Sequence, residues 1–196
     1  IMTAEEMKIA LAIAASNKTR LALEREAEET AAAEIYAATK AKIIAANPGL
    51  ERSDLSGSKA SRVVASTNIK RQLAKAFPGV KFSVRSRSYS MGDSIDVRWT
   101  DGPTSEEVDR IIKPHQDSYF DGSQDLSCDD SSAWNETFGG SKHVSSERNT
   151  SPALKQAAAT VLGFGKLEFT EWAGIKNLSE ENAQEVYRLA RTMKGE

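Results

Sequence analysis

The sequence predicts an α+β fold: a small antiparallel three-stranded sheet with flanking helices, preceded by an Ala-rich helical N-terminal arm. Two observations lead to this prediction. Apolar and polar residues alternate over residues 80–85 and 95–99, which is the period of half-buried strands. Helical patterns with capping residues stand on both sides of these stretches. We expect the arm over residues 1–50 and an α+β domain over residues 51–196, in the order helix, strand, strand, helix, strand, helix, helix.

The N-terminal arm is predicted from its alanines. Alanine is the strongest helix former, and it is abundant from Ala4 to Ala46. The short polar side chains of residues 16–19 compete for backbone hydrogen bonds, so we expect two helices, about 4–16 and 19–46. Balanced charges argue against nucleic acid at this end. The arm is expected either to pack on the domain or to form a self-association or partner-docking surface.

The domain begins with a linker over residues 51–58 and a basic helix over 59–77, which Pro78-Gly79 ends. On this helix we expect a buried side made of Val63, Val64, Ile69, Leu73 and Phe77. The two alternating stretches then form a hairpin, joined by a longer connection over residues 88–93.

The rest of the domain is predicted from caps and breakers. Thr104 and Glu107 have the spacing of a capping box, so a helix should begin there and reach about Lys113. Residues 116–139 are rich in Asp, Ser and Gly, which indicates a long surface loop. A third strand is expected over residues 142–148. Two helices follow, one from Pro152 to about Leu162 and a last one capped by Ser179.

The search for catalytic chemistry is negative. The single cysteine, Cys128, lies in an acidic, Ser-rich stretch, and no neighbouring basic residue would stabilise a thiolate. The two histidines, His115 and His143, are too far apart in sequence to indicate a zinc site with one cysteine. No Gly-rich phosphate loop with a lysine is present. We expect neither an enzyme nor a cofactor, and an enzyme with an unrecognised site is kept as a third hypothesis.

The carboxylates of the predicted loop invite a calcium hypothesis. They belong to Asp121, Asp125, Asp129 and Asp130. A calcium loop needs alternating oxygen ligands, a glycine at its sharp turn and a closing bidentate glutamate. The stretch lacks that register, so a solvated acidic loop is the favoured interpretation.

Composition indicates a soluble cytoplasmic protein. One cysteine allows no intramolecular disulfide bond, which fits a reducing compartment. No apolar run is long enough to cross a membrane, and the N-terminus does not have the layout of a signal peptide. We therefore expect no membrane partner.

The candidate site is a basic stretch without acidic residues, from Leu55 to Gly92. It lies in a chain whose net charge is only −2, so the charge is unevenly distributed. The predicted contact residues come from this stretch and from the second strand: Arg62, Lys70, Arg71, Lys75, Lys81, Arg85, Arg87 and Arg98.

Two interpretations of the basic stretch are open. It forms an anion-binding face for the phosphates of RNA or DNA or for an acidic protein surface, with Tyr89 and Trp99 available for stacking. Alternatively the charges are neutralised internally, because Asp93 and Asp96 are expected opposite Arg85 and Arg87. The acidic residues 116–196 are a second source of such neutralisation.

Several motifs are specific enough to point to a family. Residues 77–86 spell FPGVKFSVRS, residues 92–104 spell GDSIDVRWTDGPT, and YFDG follows the intervening helix. FGGSKHV at residues 138–144 stands where the third strand is expected. Together these motifs resemble a large polyvalent protein-associated domain of phages, plasmids and conjugative elements, over about residues 65–160. No catalytic residues come with this resemblance.

The resemblance implies mobile-element biology, in proteins deployed against host defences or serving transfer. For this chain it implies an anti-defence protein such as an anti-CRISPR, acting in the cytoplasm of a bacterial host. The expected partner is a host defence complex, with a CRISPR-associated ribonucleoprotein as the leading candidate, inhibited by stoichiometric binding or subunit displacement. The alternative is a nucleic-acid-binding accessory protein of phage or plasmid DNA transfer.

Overall fold

A computed structural model describes residues 4–55, 57, 59–90, 92–123, 126–171 and 174–195. The chain divides into two compact units, Ile1–Pro48 and Gly49–Glu196. The first unit is one continuous helix, α1 (Ala4–Ala46). The second unit is a mixed α/β fold that holds all the strands.

The prediction of two N-terminal helices is wrong. The polar side chains that were expected to interrupt the helix bond to its own preceding turn instead. Thr19 Oγ1 donates to the Ala15 carbonyl at 3.0 Å, and Thr30 and Thr39 make equivalent bonds. Such bonds leave the backbone ladder in place, and the alanines on either side favour the helix.

The central sheet has three strands in the order β1–β2–β5. β1 (Ser83–Tyr89) and β2 (Gly92–Thr100) form the predicted hairpin, and β5 (His143–Asn149) is the predicted third strand. The expectation of an antiparallel sheet is wrong, because β5 runs parallel to β2. Two α-helices and a second hairpin lie between these two strands in the chain, which crosses over and re-enters the sheet in the same direction.

Two helices cover one face of this sheet. They are α2 (Ser61–Ala76) and α3 (Ser105–Ile112), whose capping box at Thr104 and Glu107 is confirmed. The core they form with the strands contains Ala65, Ile69, Leu73, Val84, Ile95, Val97, Trp99, Val108, Ile112 and Val144. Val63 was expected on the buried side but is 37% exposed, because the apolar stripe of α2 runs through Val64, Ala65, Ile69 and Leu73.

The predicted loop over residues 116–139 is wrong as well. It contains a hairpin of β3 (Ser118–Asp121) and β4 (Leu126–Asp129), then a short helix α4 (Ala133–Phe138). Some of its polar residues are buried, among them Ser118, Asn135 and Thr137. Asn135 completes a capping box with Ser132, and Thr137 donates to the Ala133 carbonyl at 2.7 Å. Polar composition therefore hid a folded segment.

The C-terminal region forms a second apolar cluster. It is built by α5 (Pro152–Val161), α6 (Glu180–Thr192) and the segment between them. Both helices begin where the sequence predicts.

The predicted linker contains a 3-10 turn, Ser53–Leu55, and its Ser56 and Ser58 lie outside the described residues. Across the described ranges, no helix has the length and apolar character needed to cross a bilayer.

Candidate functional site

The second face of the sheet is polar and carries most of the predicted strand residues. Register places four side chains from each strand on this face: Ser83, Arg85, Arg87 and Tyr89; Ser94, Asp96, Arg98 and Thr100; His143, Ser145, Glu147 and Asn149. We call this surface the open face. Its three arginines are exposed, since α2 and α3 both pack on the other side. Alternation along each strand produces this separation of polar and apolar side chains.

The charges on the open face are only partly neutralised. Arg98 Nε lies 2.9 Å from Glu147 Oε2, and Arg87 Nε lies 3.7 Å from Asp96 Oδ2. Arg85 is opposite Asp96 in register, but no ion pair to it is found within the described residues. Internal neutralisation is therefore partial: Arg87 and Arg98 have acidic partners, and none is found for Arg85 among the described residues.

Asp93 does not neutralise the arginines as predicted. It lies on the same side of β2 as Ile95, away from the open face. Its Oδ1 accepts hydrogen bonds from the Lys142 backbone N–H at 2.9 Å and from Ser141 Oγ at 3.0 Å. Asp93 thereby holds the start of β5 against β2, a structural role that strand alternation indicates but the sequence prediction overlooked.

The two aromatic residues proposed for stacking have different positions. Tyr89 is 46% exposed at the end of β1. Trp99 is 3% exposed, packs against Phe82 with ring centroids 5.6 Å apart, and donates from Nε1 to the Pro103 carbonyl at 3.0 Å. Trp99 is therefore a core residue, and only Tyr89 is accessible to a partner.

The four predicted residues on α2 are separated from those on the strands. Lys70, Arg71 and Lys75 are exposed on a helix that covers the apolar face, whereas Arg85, Arg87 and Arg98 are on the open face. Arg62, the fourth candidate on α2, is half-buried, and its Nε has no hydrogen-bond partner among the described residues. The eight candidates are thus divided between two surfaces, one on the outer side of α2 and the other on the open face of the sheet.

Lys81 lies just before β1, at one end of the open face. It lines a cleft of about 650 Å³ together with Ser83, Arg98, Thr100 and Asn149. The Asp101-Gly102 turn forms another part of the wall. The cleft extends the open face and brings Lys81 and Arg98 to one opening.

His115, which the sequence left without a role, is fully buried. Its Nδ1 lies 2.8 Å from the Gly139 carbonyl, and Trp134 Nε1 donates to its Nε2 at 3.3 Å. The Gly139 carbonyl requires a proton on Nδ1, and Nε2 also lies 3.1 Å from Gln72 Oε1 on α2. Burial lowers the pKa of His115 to about 4. The residue stabilises the packing of α4 against α2.

We expect acid to destabilise the protein through His115. Below about pH 6.5 the unfolded chain takes up a proton there, whereas the folded ring stays neutral until about pH 4. The contribution of His115 to the free energy of unfolding is therefore fully present above pH 6.5, and about 3 kcal/mol of it is lost as the pH falls to 4. Urea unfolding of wild type and His115→Gln across this range measures the difference. His143→Gln, at an exposed site, is the control, and an equal pH slope in wild type and His115→Gln would refute the assignment.

The surroundings of Cys128 differ from those that the sequence predicts. Cys128 is half-buried on β4 rather than solvent-facing in a loop, and its hydrogen bond raises the pKa of Tyr119 on the paired strand. Asp125 lies outside the described residues. Among the residues with described positions, no three His, Cys, Asp or Glu side chains could hold a metal ion together.

Three aspartates meet in a cleft that sequence reasoning missed. Asp93, Asp117 and Asp129 line a space of about 460 Å³ with Tyr89 and Lys142. Burial, reinforced by the charges of the other two aspartates, raises the pKa of Asp117. The three residues come from different elements, so no local sequence pattern could have indicated the cluster.

Comparison with known families supports the domain resemblance. Residues 61–151, a little under half of the chain, match the model of large polyvalent protein associated domain 29. The match begins at the first residue of α2 and ends just after β5, so it contains the whole central sheet and both covering helices. No curated protein and no solved structure matches the chain.

Proposed function

We propose that this protein serves a mobile genetic element as an anti-defence protein, which inhibits a host defence complex by stoichiometric binding. A CRISPR surveillance complex in the bacterial cytoplasm is the leading target. The match to a large polyvalent protein associated domain supports the mobile-element context. The target and the inhibitory activity are the new part of the proposal.

The observation that carries the proposal is the open face. Three exposed arginines stand on the face of the sheet opposite α2 and α3. Two of them alternate with acidic neighbours, in the pairs Arg98–Glu147 and Arg87–Asp96. A phosphate-binding surface needs several unpaired cations, whereas protein partners match alternating charges. The mixed pattern therefore favours a protein partner.

Inhibition would follow from occupancy. A subunit of the defence complex that is held on the open face cannot contact its neighbouring subunit or its nucleic acid at the same time. Such a mechanism needs no reaction and no cofactor, so the amount of inhibitor must match the amount of its target.

A nucleic-acid-binding accessory role in DNA transfer is the second candidate. Two exposed residues favour it, since a cation and an aromatic ring bind phosphates and bases. They are Arg85, for which no ion pair is found in the described part of the chain, and Tyr89, which is 46% exposed. Salt separates the two functions. Affinity for bare DNA or RNA that falls steeply with salt would support this candidate.

Charge reversal tests the proposed surface. We expect Arg85→Glu/Arg87→Glu to weaken capture of the defence complex at least tenfold. The introduced glutamates would repel the acidic groups of the partner that the two arginines contact. Capture is measured with the purified surveillance complex, and function by phage plaque counts in a host with active CRISPR immunity. Lys70→Glu/Lys75→Glu makes the same charge change on the exposed side of α2 and is the matched control.

Two outcomes would contradict this prediction. Unchanged capture and plaque counts by the folded Arg85→Glu/Arg87→Glu variant, or equal losses in both double variants, would remove the open face from the mechanism. Circular dichroism establishes that each variant is folded.

A further inference from the structure

We propose that strand β1 accepts an acidic, extended segment of the partner protein as an added strand. This inference rests on the proposed function and specifies its contact. β1 is an edge strand, since it pairs with β2 along one side and with no described strand along the other. An edge strand directs the N–H and C=O groups of alternate residues outward, where a partner strand can pair with them. Seven residues give enough length for several such bonds.

The outer edge of β1 is accessible, in contrast to β5. At β5, the ammonium group of Lys113 donates to the Val144 carbonyl at 2.8 Å, and a bridge between Gln116 and Ser141 continues beyond the strand. In the described part of the chain, no side chain donates to a carbonyl of β1. The sheet therefore offers one available edge.

The charges at this edge identify the occupant. Residues 55–92 contain no acidic residue, and β1 presents Arg85 and Arg87 beside its free edge. An added strand would lie about 4.8 Å from β1, so its side chains on the open face would contact these guanidinium groups. Carboxylates match them in charge and in bidentate geometry. Glutamate or aspartate is therefore expected at every second position.

The alternate positions of the added strand face the helix-covered side. On this side Phe77 and Phe82 pack against the core but are only partly buried, and their ring centroids are 6.0 Å apart. Apolar side chains of the partner would extend this contact. The predicted occupant is thus a segment in which acidic and apolar residues alternate.

The register of the hairpin provides a selective variant. Two residues separate Tyr89 from its partner Gly92, as in a tight hairpin whose flanking residues form a hydrogen-bonded pair. Alternation then directs the N–H of Ser86 outward. Proline is tolerated where the N–H of an edge strand faces solvent. Ser86→Pro should therefore block strand addition while the β1–β2 pairing is kept.

The direct test uses a labelled ten-residue peptide that alternates glutamate and valine, measured by fluorescence anisotropy. We expect it to bind the wild-type protein, and at least tenfold more weakly to Ser86→Pro and to Arg85→Glu. Lys70→Glu, on α2, should bind as the wild type does. Equal binding by wild type and a folded Ser86→Pro variant would overturn the proposal.

Modified peptides test the backbone pairing without altering the protein. One peptide is N-methylated at its valines and the other at its glutamates, so that only one of them loses the N–H groups facing β1. That peptide should lose binding, and the other should keep it. Equal affinities of the two methylated peptides would overturn strand addition. Displacement of the glutamate–valine peptide by an equimolar twelve-residue oligothymidylate would overturn it in favour of nucleic acid.

The same variants distinguish this inference from the proposed function. If Ser86→Pro captures the defence complex normally while Arg85→Glu/Arg87→Glu does not, the open face is the contact and strand addition is refuted. If neither variant affects capture, the proposed surface itself fails.

Discussion

Replacing Gly139 with alanine is expected to destabilise the domain by about 4 kcal/mol, through overpacking and backbone strain together. Gly139 has φ +85° and ψ 149°, a region of backbone conformation that is essentially restricted to glycine. A Cβ atom there would clash with the Ser61 carbonyl oxygen and would lie 2.7 Å from the Ala65 nitrogen. Both atoms belong to the backbone of α2, so they cannot rotate away. The added methyl group must therefore separate α4 from α2.

Gly163→Ala is the matched control for this prediction. Gly163 has φ +79°, but a Cβ atom there would meet nothing within 4 Å. Its cost should be the backbone strain alone, about 1 kcal/mol. Urea unfolding followed by circular dichroism gives both free energies of unfolding. Similar losses in the two variants would show that close contact with α2 is not the cause.

Replacing Arg148 with alanine is expected to cost a similar amount, about 4 kcal/mol, because its guanidinium bonds to five carbonyl groups. Three of them belong to the C-terminal end of α6, where helix carbonyls have no partner of their own. The contacts run from 2.7 to 3.3 Å, to the carbonyls of Asp101, Gly102, Ala190, Arg191 and Met193. Arg148 thus fastens the end of α6 to β5 and to the turn after β2.

Two further substitutions sharpen the test. Arg148→Lys keeps the charge but not the planar fork, so it should recover only part of the stability. Arg188→Ala removes an exposed arginine of α6, whose Nη2 lies 3.7 Å from Glu185, and should cost well under 1 kcal/mol. Thermal and urea unfolding measure all three variants. A loss for Arg148→Ala no larger than that for Arg188→Ala would contradict this role.

Local signals accounted for much of the fold. The alternation through Ile95, Val97 and Trp99 identified a strand buried on one side. Capping residues located the starts of α3 and α6, and Pro152 located that of α5. These predictions succeeded because each depends on side chains within one turn or one strand. Residues 116–139 were mistaken for a loop because their polar groups find partners far away in the sequence, as Asn135 does with the Gln116 carbonyl.

The candidate site was predicted only as a list of residues. Spacing correctly placed Arg85 and Arg87 opposite the apolar side chains of β1. It could not show that α2 packs on the other face, which separates Lys70, Arg71 and Lys75 from them. Nor could it show that Glu147, about fifty residues further on, pairs with Arg98, because β5 joins the sheet only through a crossover.

The sequence by itself determined the acid-free composition of the basic stretch, the hairpin, and which side chains share a face of each strand. These features follow from local periodicity and sterics. Tertiary structure alone decided which charges remain unpaired, that His115 is buried and neutral, and that β1 has an available edge. Each of these depends on distant segments meeting, since pairing and burial are properties of the packed chain rather than of any stretch of it.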